Sequence, residues 1–470
     1  MTPPRIPSAL VLGSRREVGT VGLVAGMCGW YASTLTLASD VLSVDARHAG
    51  GGSAVGIVLG AVAAVFIAVA VYVSATVIAN GVDTVVAGRL RQIAVLRLLG
   101  AEASSLRAAV VRGSTFVAAV GAVTGTVAGT VLGDTTRSVL VARGSLREGD
   151  YAWFPLLAAP AAVVITLAAA AAAWIGSRAV LRATPAQALL GASVPEPDTR
   201  VAGAIRRVTA FGLIGFGGLV LLGAALLGEQ GGAAGFLLAA FGSMVSGTGI
   251  LVGARLVVPP LVSLASRLLG TDPPSVVAAR NAVREPARTT RSTMGLVIGV
   301  TLVTTFAAGF AALRTAARTW DLTATQAAQT DEILRNVSVI MICVVVVSSA
   351  IAAVGFVSTM SLGVVQRTRE IGLLRALGFT SGQVRTMITK ESVALSATAV
   401  VFGMALGLVF GALGAQSLVG FQTHGFVWGV PGVVLVAIAA AGVLLVLAAS
   451  WVPSSRAVAV APVEALRATR

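Results

Sequence analysis

The chain has 470 residues, 56% of them hydrophobic and only 11% charged, with a mean hydropathy of +0.92. Soluble domains carry about 25% charged residues, so a water-soluble globular fold is excluded and an all-α integral membrane protein is expected. The formal charge of +15 raises nucleic-acid binding. The basic residues, however, sit in short segments between apolar runs, where topology and lipid headgroups account for them, and no nucleic-acid partner is expected.

Ten stretches are apolar over the roughly 20 residues that a helix needs to cross a bilayer. In chain order they are 17–38, 54–79, 110–133, 154–176, 208–228, 234–254, 294–315, 336–360, 393–417 and 429–452. The first follows Arg5, Arg15 and Arg16. Its apolar run is longer than the ~7–15 residues of a signal peptide, so a retained helix is expected. Trp153 and Trp174 bracket the fourth stretch, and Trp428 and Trp451 the tenth, as interfacial anchors do. The stretches are read as holding no Asp, Glu, Lys, Arg or His, which argues against a proton relay. Cys28 and Cys343 fall inside spans and His48 and His424 in outer loops; none has a metal-ligand spacing, and no metal site is expected.

Spacing along the chain divides the ten spans into four, two and four. A first block covers 1–180, a linker with Pro195 and Pro197 covers 181–207, and a two-helix hairpin covers 208–254. A basic segment, 255–293, precedes a second block, 294–470. In that segment Arg280, Arg284, Arg288 and Arg291 have near-helical spacing interrupted by Pro286, which predicts a broken interfacial helix. With the amino terminus inside, cytoplasmic segments hold 27 of the 34 Lys+Arg residues and outer loops hold 7. That partition follows the positive-inside rule and puts both termini in the cytoplasm.

The two blocks repeat each other. Arg89-Leu-Arg-Gln-Ile-Ala-Val-Leu-Arg-Leu-Leu-Gly100 returns in the second block as Arg367-Thr-Arg-Glu-Ile-Gly-Leu-Leu-Arg-Ala-Leu-Gly378. At the same offset, without a gap, Arg107 meets Arg385, and Ser177-Arg-Ala-Val180 meets Ser455-Arg-Ala-Val458. A register held this far indicates internal duplication. Within each arm Ile93, Leu96 and Leu99, or Ile371, Leu374 and Leu377, recur at helical spacing. Arg367 and Glu370 are placed to pair at i and i+3, and Gly100 and Gly378 mark helix ends. Downstream, Gly121, Gly125, Gly129 and Gly133 recur every fourth residue, as do Gly403, Gly407 and Gly411 after Ala399. Such a stripe lets helices approach closely in lipid, either within a block or across the pseudo-twofold axis. The chain's sole lysine, Lys390, follows Thr389 where a Walker A motif needs glycine. No catalytic residues stand out, and the chain reads as a non-enzyme.

This pattern of basic, glycine-ended arms between apolar blocks resembles the FtsX-like permeases of ABC transporters, among them MacB-type and bacitracin-efflux-type permeases. The resemblance is good in the second arm and looser in the first, where Gln92 replaces the acidic residue. It implies that residues 85–107 and 363–385 are coupling arms for a separate ATPase, two copies of which would bind ATP and Mg. The residues it assigns to coupling are Arg89, Arg91, Gln92, Arg97, Gly100 and Arg107, with Arg367, Arg369, Glu370, Arg375, Gly378 and Arg385. It also implies a bacterial plasma-membrane location, contact with membrane lipid, and export or release of an amphipathic or lipid-like substrate. Two other roles fit the same residues: a sensory permease signalling, without transport, to a membrane kinase or a cell-wall hydrolase, with a kinase or extracytoplasmic partner, and an ATP-independent carrier. The outer loops 41–53, 134–153 and 316–335 are too short for the large extracytoplasmic domains of those relatives.

Overall fold

Long runs of Ala, Val and Leu without interior proline favour helices, and in lipid a helix satisfies every backbone group internally. The computed structural model describes residues 15–48, 53–143, 158–182 and 200–230, then 233–320 except 269, 271 and 285, and 377–444 except 424, plus scattered positions between 323 and 375. Every long element among the described residues is helical. The first half contains α1 (Arg15–His48), α2 (Ser53–Gly88), α3 (Leu90–Leu98), α4 (Ala103–Ala142), α5 (Ala158–Gly176) and α6 (Arg178–Arg182). The rest are α7 (Arg200–Gly228), α8 (Ala233–Leu268), α9 (Pro273–Arg284), α10 (Pro286–Ala317), α11 (Ser381–Val419) and α12 (Gly432–Leu444).

Seven of the described helices are long and apolar enough to cross a membrane. They correspond to the second to seventh and ninth stretches of the sequence reading. The first and tenth stretches appear as the shorter apolar helices Val21–Leu37 and Gly432–Leu444. The eighth, 336–360, lies almost wholly outside the described residues. Only 27–56% of each span is buried, so the remaining faces, with Leu167, Phe211, Leu219 and Val401 exposed, are free to meet lipid.

Two sequence readings need correction. Helices outrun their apolar windows: α4 has 40 residues, about 60 Å at ~1.5 Å per residue, twice a ~30 Å hydrocarbon layer. The stretch 110–133 is therefore only its middle. Likewise α8 continues past 254 to Leu268, through Pro259 and Pro260. Val258 and Val262 beside those prolines are fully buried against Met294, Leu296 and Val297, and that packing offsets the lost backbone bonds. The second correction concerns charge. Glu17, Arg112 and Arg314 fall inside the stretches as drawn, each within a turn of an end. Arg314 sits in the last turn of α10, its guanidinium 6.0 Å from the centroid of the Phe310 ring.

Helices pair as α1 with α4, α10 with α11, and α7 with α8. The glycine stripes lie in the first two seams. Gly121 and Gly125 of α4 face the backbone of Gly22 and Gly26 on α1, and Gly129 faces Trp30 and Ser33. On the other side Gly403, Gly407 and Gly411 of α11 face Val300, Thr304 and Ala308 of α10. Each stripe thus packs within its own half. The basic segment breaks where expected, with α9 ending at Arg284 and Pro286 opening α10, a position where its missing N–H costs nothing. The hairpin packs on α11, with Leu221, Ala224 and Ala239 against Phe410 and Leu413. It also reaches the first half, where the Tyr72 and Thr248 hydroxyls lie 3.1 Å apart.

Candidate functional site: the repeated arms

The first arm begins where α2 ends, continues as α3 and turns into α4. Ile93 and Ala94 are 1% exposed. Ile93 joins a core with Val86, Leu106, Val110 and Val180, while Leu96 and Ala101 pack at its edge. One face of α3 is thereby fixed to the first half. Gly100 stops the helix at φ +94°, a conformation that costs other residues about 1–2 kcal/mol. The Gly100 N–H donates to the Arg97 carbonyl (3.1 Å) and the Ala101 N–H to the Leu96 carbonyl (3.0 Å), a Schellman motif.

The second arm repeats this exit. Gly378 has φ +98°, and its N–H donates to the Arg375 carbonyl at 3.1 Å. In each case a short link follows the glycine and a long helix then starts, at Ala103 and at Ser381. Thr380 caps α11 with a capping box, its hydroxyl accepting from the Gln383 N–H (3.2 Å) while the Gln383 side chain accepts from the Thr380 N–H (2.9 Å).

Apolar side chains that face outward distinguish both arms. Leu99 is 79% exposed and Leu377, its repeat, 73%. Val95 and its repeat Leu373 are exposed too, as is Leu98. Helical spacing predicts apolar contacts from Ile93, Leu96 and Leu99. Instead Leu99, the C-cap residue just before the glycine, lies about 120° round the helix from Ile93 and away from the core that holds it. The pairing of Val95 with Leu373 was invisible to a comparison of identical residues, since only their apolar character is shared.

The charged residues divide in the same way. Arg89 donates to the Gln92 side chain at 3.0 Å, so the i, i+3 geometry proposed for Arg367 and Glu370 occurs in the first arm. Gln92 and Arg385 are exposed, Arg97 and Arg375 half-buried, and Arg91 lies within α3. Arg367, Arg369 and Glu370 lie outside the described residues. Arg107 is engaged within the chain. It donates to the Trp174 carbonyl at 2.6 Å and to the Ser177 hydroxyl at 3.4 Å, with its guanidinium 4.2 Å from the Trp174 ring centroid. It thereby ties the start of α4 to the last turn of α5, where a cation also suits the helix dipole. Both partners of this contact, Arg107 and Ser177, are positions that the internal repeat returns as Arg385 and Ser455. Arg107→Ala is expected to cost about 1–2 kcal/mol, lowering Tm by about 2–4 °C, with Lys only a partial replacement because it lacks the planar fork. Thermal melts of the purified variants check this, and an unchanged melt for Ala would show the clamp to be idle.

Lys390 of α11 donates to Asp272 at 2.5 Å and to the Ser275 hydroxyl at 2.8 Å. The hydrogen bond from Lys390, and then that from Ser275, hold the Asp272 carboxyl below its usual pKa. That contribution is present at neutral pH and lost on acidification through the lowered pKa.

A membrane-embedded helical duplication with an arm in each half defines the class of this molecule. The sequence matches the family described as FtsX-like permease C-terminal over residues 64–185 and 342–462, just over half of the chain. The protein belongs to the FtsX-like permease family, and the two matched regions start at 64 and 342, the same offset that separates Arg89 from Arg367. Among similar proteins is the uncharacterized ABC transporter permease YknZ of Bacillus subtilis, 32% identical over 126 residues, or 26% of this chain and 29% of the relative. An uncharacterized ABC transporter permease of Methanocaldococcus jannaschii is 33% identical over 96 residues, 20% of this chain and 23% of the relative. The chain thus matches less than a third of the length of either. Family membership, with seven described helices long and apolar enough to cross a membrane, makes it a multi-pass membrane protein of the permease type.

Proposed function

We propose that this chain is the membrane subunit of an ABC transporter and that a separate ATPase docks on each of its two arms. The observation that carries this reading is the repeated exit: a left-handed glycine beside a leucine that is 79% exposed in one arm and 73% in the other. A basic anchor needs arginines but no outward leucine at a repeated place. Apolar side chains surrounded by arginines, on a segment outside the membrane spans, suit a protein partner better than water.

With both arms on one chain, a single copy would bind two ATPase subunits, which carry ATP and Mg. The arms and both termini would face the cytoplasm of a bacterial plasma membrane, following the partition of Lys and Arg. The ten spans would form two four-helix blocks around the hairpin, and nucleotide-driven closure of the ATPases would move one block against the other. The cargo would be amphipathic or lipid-like and would leave the membrane outward. The ten apolar stretches are built mostly of Ala, Val, Leu and Gly, which favours a cargo of that class over a charged one.

The test is the mass of the detergent-solubilised complex formed on co-expression with an ABC-type ATPase subunit. One permease chain with two ATPase subunits is expected. Two permease chains per ATPase pair, or no complex, would refute the proposal.

A further inference from the structure

Among the described residues, the two arms leave through matched helices that are fastened differently. In the register of the repeat, Lys390 is the counterpart of Arg112. Arg112 donates to the Ala108 carbonyl of its own helix at 3.3 Å. Lys390 crosses to another element. Its ammonium meets the Asp272 carboxylate (2.5 Å) and the Ser275 hydroxyl (2.8 Å), and Ser275 in turn donates to Asp272 (2.8 Å), closing a triangle. Ser275 is 1% exposed. Asp272 also opens α9, its carbonyl accepting from the Ser275 and Val276 N–H groups. Gly270 at φ +128° makes the turn that brings it there. Beneath the triangle Val277 of α9 packs with Phe379, the residue after the arm's glycine, against Val384, Met387 and Ile388.

α9 is short, at 12 residues. Four residues separate it from α8 and a single residue from α10, so a displacement of α9 reaches the hairpin over a short length of chain. At its far end the hairpin is pinned to the same helix, α11. Gln416, 1% exposed, donates to Glu229 at 3.2 Å and accepts from the Val427 N–H at 3.0 Å.

We propose that Lys390 is a positioning residue for the second arm: through Asp272 and Ser275 it fastens that arm to α9, so that the second arm drives the two-helix hairpin and the two arms do unequal work. This rests on the arms being ATPase docking sites. Lys390 touches no nucleotide and no cargo; it sets where the arm's exit lies relative to α9. The hairpin, which contacts both halves, becomes the part that transmits the second arm's motion to the first half.

Two measurements on the full-length chain test it. The first is hydrogen exchange without any ATPase: Lys390→Met should speed exchange of the α9 amides, whereas Arg112→Met should leave them unchanged. The second is ATPase stimulation in proteoliposomes. Lys390→Met and Asp272→Asn should each lower it about two- to five-fold while the amount of bound ATPase holds. Lys390→Arg should restore most of it, and the swap of Lys390→Asp with Asp272→Lys at least part, which a general loss of stability would not allow. Unchanged α9 exchange in Lys390→Met overturns the tether whatever the ATPase does. Full stimulation in Lys390→Met, or a swap no better than its single variants, overturns the drive. If Leu377→Ser binds ATPase normally, the docking reading fails instead, and α9 exchange still judges the tether.

Discussion

Gly125→Leu should abolish assembly of the first half, whereas Gly215→Leu, on the more apolar helix α7, should be nearly silent. A Cβ at Gly125 would overlap the carbonyl oxygen of Gly26 and come within 2.5 Å of its carbonyl carbon and 2.7 Å of its Cα. These are backbone atoms, so no rotamer change relieves the overlap and α1 must move away from α4. A single methyl overpacked against a rigid neighbour costs about 1–3 kcal/mol, and a leucine at a backbone contact exceeds that range. Lipid aggravates the loss. Helices in a bilayer have no hydrophobic drive towards one another and depend on close packing and hydrogen bonds. A Cβ at Gly215 would meet nothing within 4 Å, so the same substitution there adds only lipid-facing surface. Size-exclusion profiles and thermal melts of the two variants separate the outcomes. Equal yields and melts would show that the α1–α4 seam tolerates separation and that the stripe carries no packing role.

The stripe itself was legible in the sequence, because glycine at every fourth position of an apolar helix has few other uses. Its partner was not. Gly22-Leu-Val-Ala-Gly26 on α1 and Gly295-Leu-Val-Ile-Gly299 on α10 are similar, yet their separation is shorter than the offset between the arms. A gap-free comparison at the arms' offset therefore passes over the very helices that the stripes face. Arm boundaries were legible for a physical reason, since Gly100 and Gly378 are demanded by positive φ. Long-range polar contacts were not. Trp174 reads as an interfacial marker at its sequence position, and nothing local announces that Arg107, 67 residues away, stacks on its ring. Lys390 stood out in the sequence only for failing to complete a nucleotide motif. Its partner Asp272 is 118 residues distant, and pairing over such a separation is a property of the fold, not of any window of sequence. Helix lengths were underestimated for a related reason: hydropathy marks the part of a helix that meets lipid, while the helix continues wherever backbone bonds remain satisfied.

Leu99→Ser together with Leu377→Ser should release the ATPase while leaving the permease folded and inserted. Each leucine is more than two-thirds exposed, at 79% and 73%, so replacing it removes little packing from the chain itself. Burial of a leucine against a partner contributes about 1.5–3 kcal/mol, and ~1.4 kcal/mol is a tenfold change in affinity. Each single variant should therefore weaken its own arm about 10- to 100-fold. If two ATPase subunits bind one chain, a single variant should leave a complex with one subunit firmly held and the other lost on dilution. The double variant should hold neither. Gln92→Glu serves as a comparison, because it alters the charge at an exposed position beside Arg89 without removing apolar surface, and exposed charge changes are typically worth under about 1 kcal/mol. Two outcomes would count against docking through these leucines. In one, the double variant binds as the natural chain does. In the other, it loses membrane insertion as well, which would make Leu99 and Leu377 anchors dipping into headgroups. Binding lost with insertion intact would place the partner's groove on the outward face of both arms, and the ratio of the two single-variant affinities would measure how unequal the arms are.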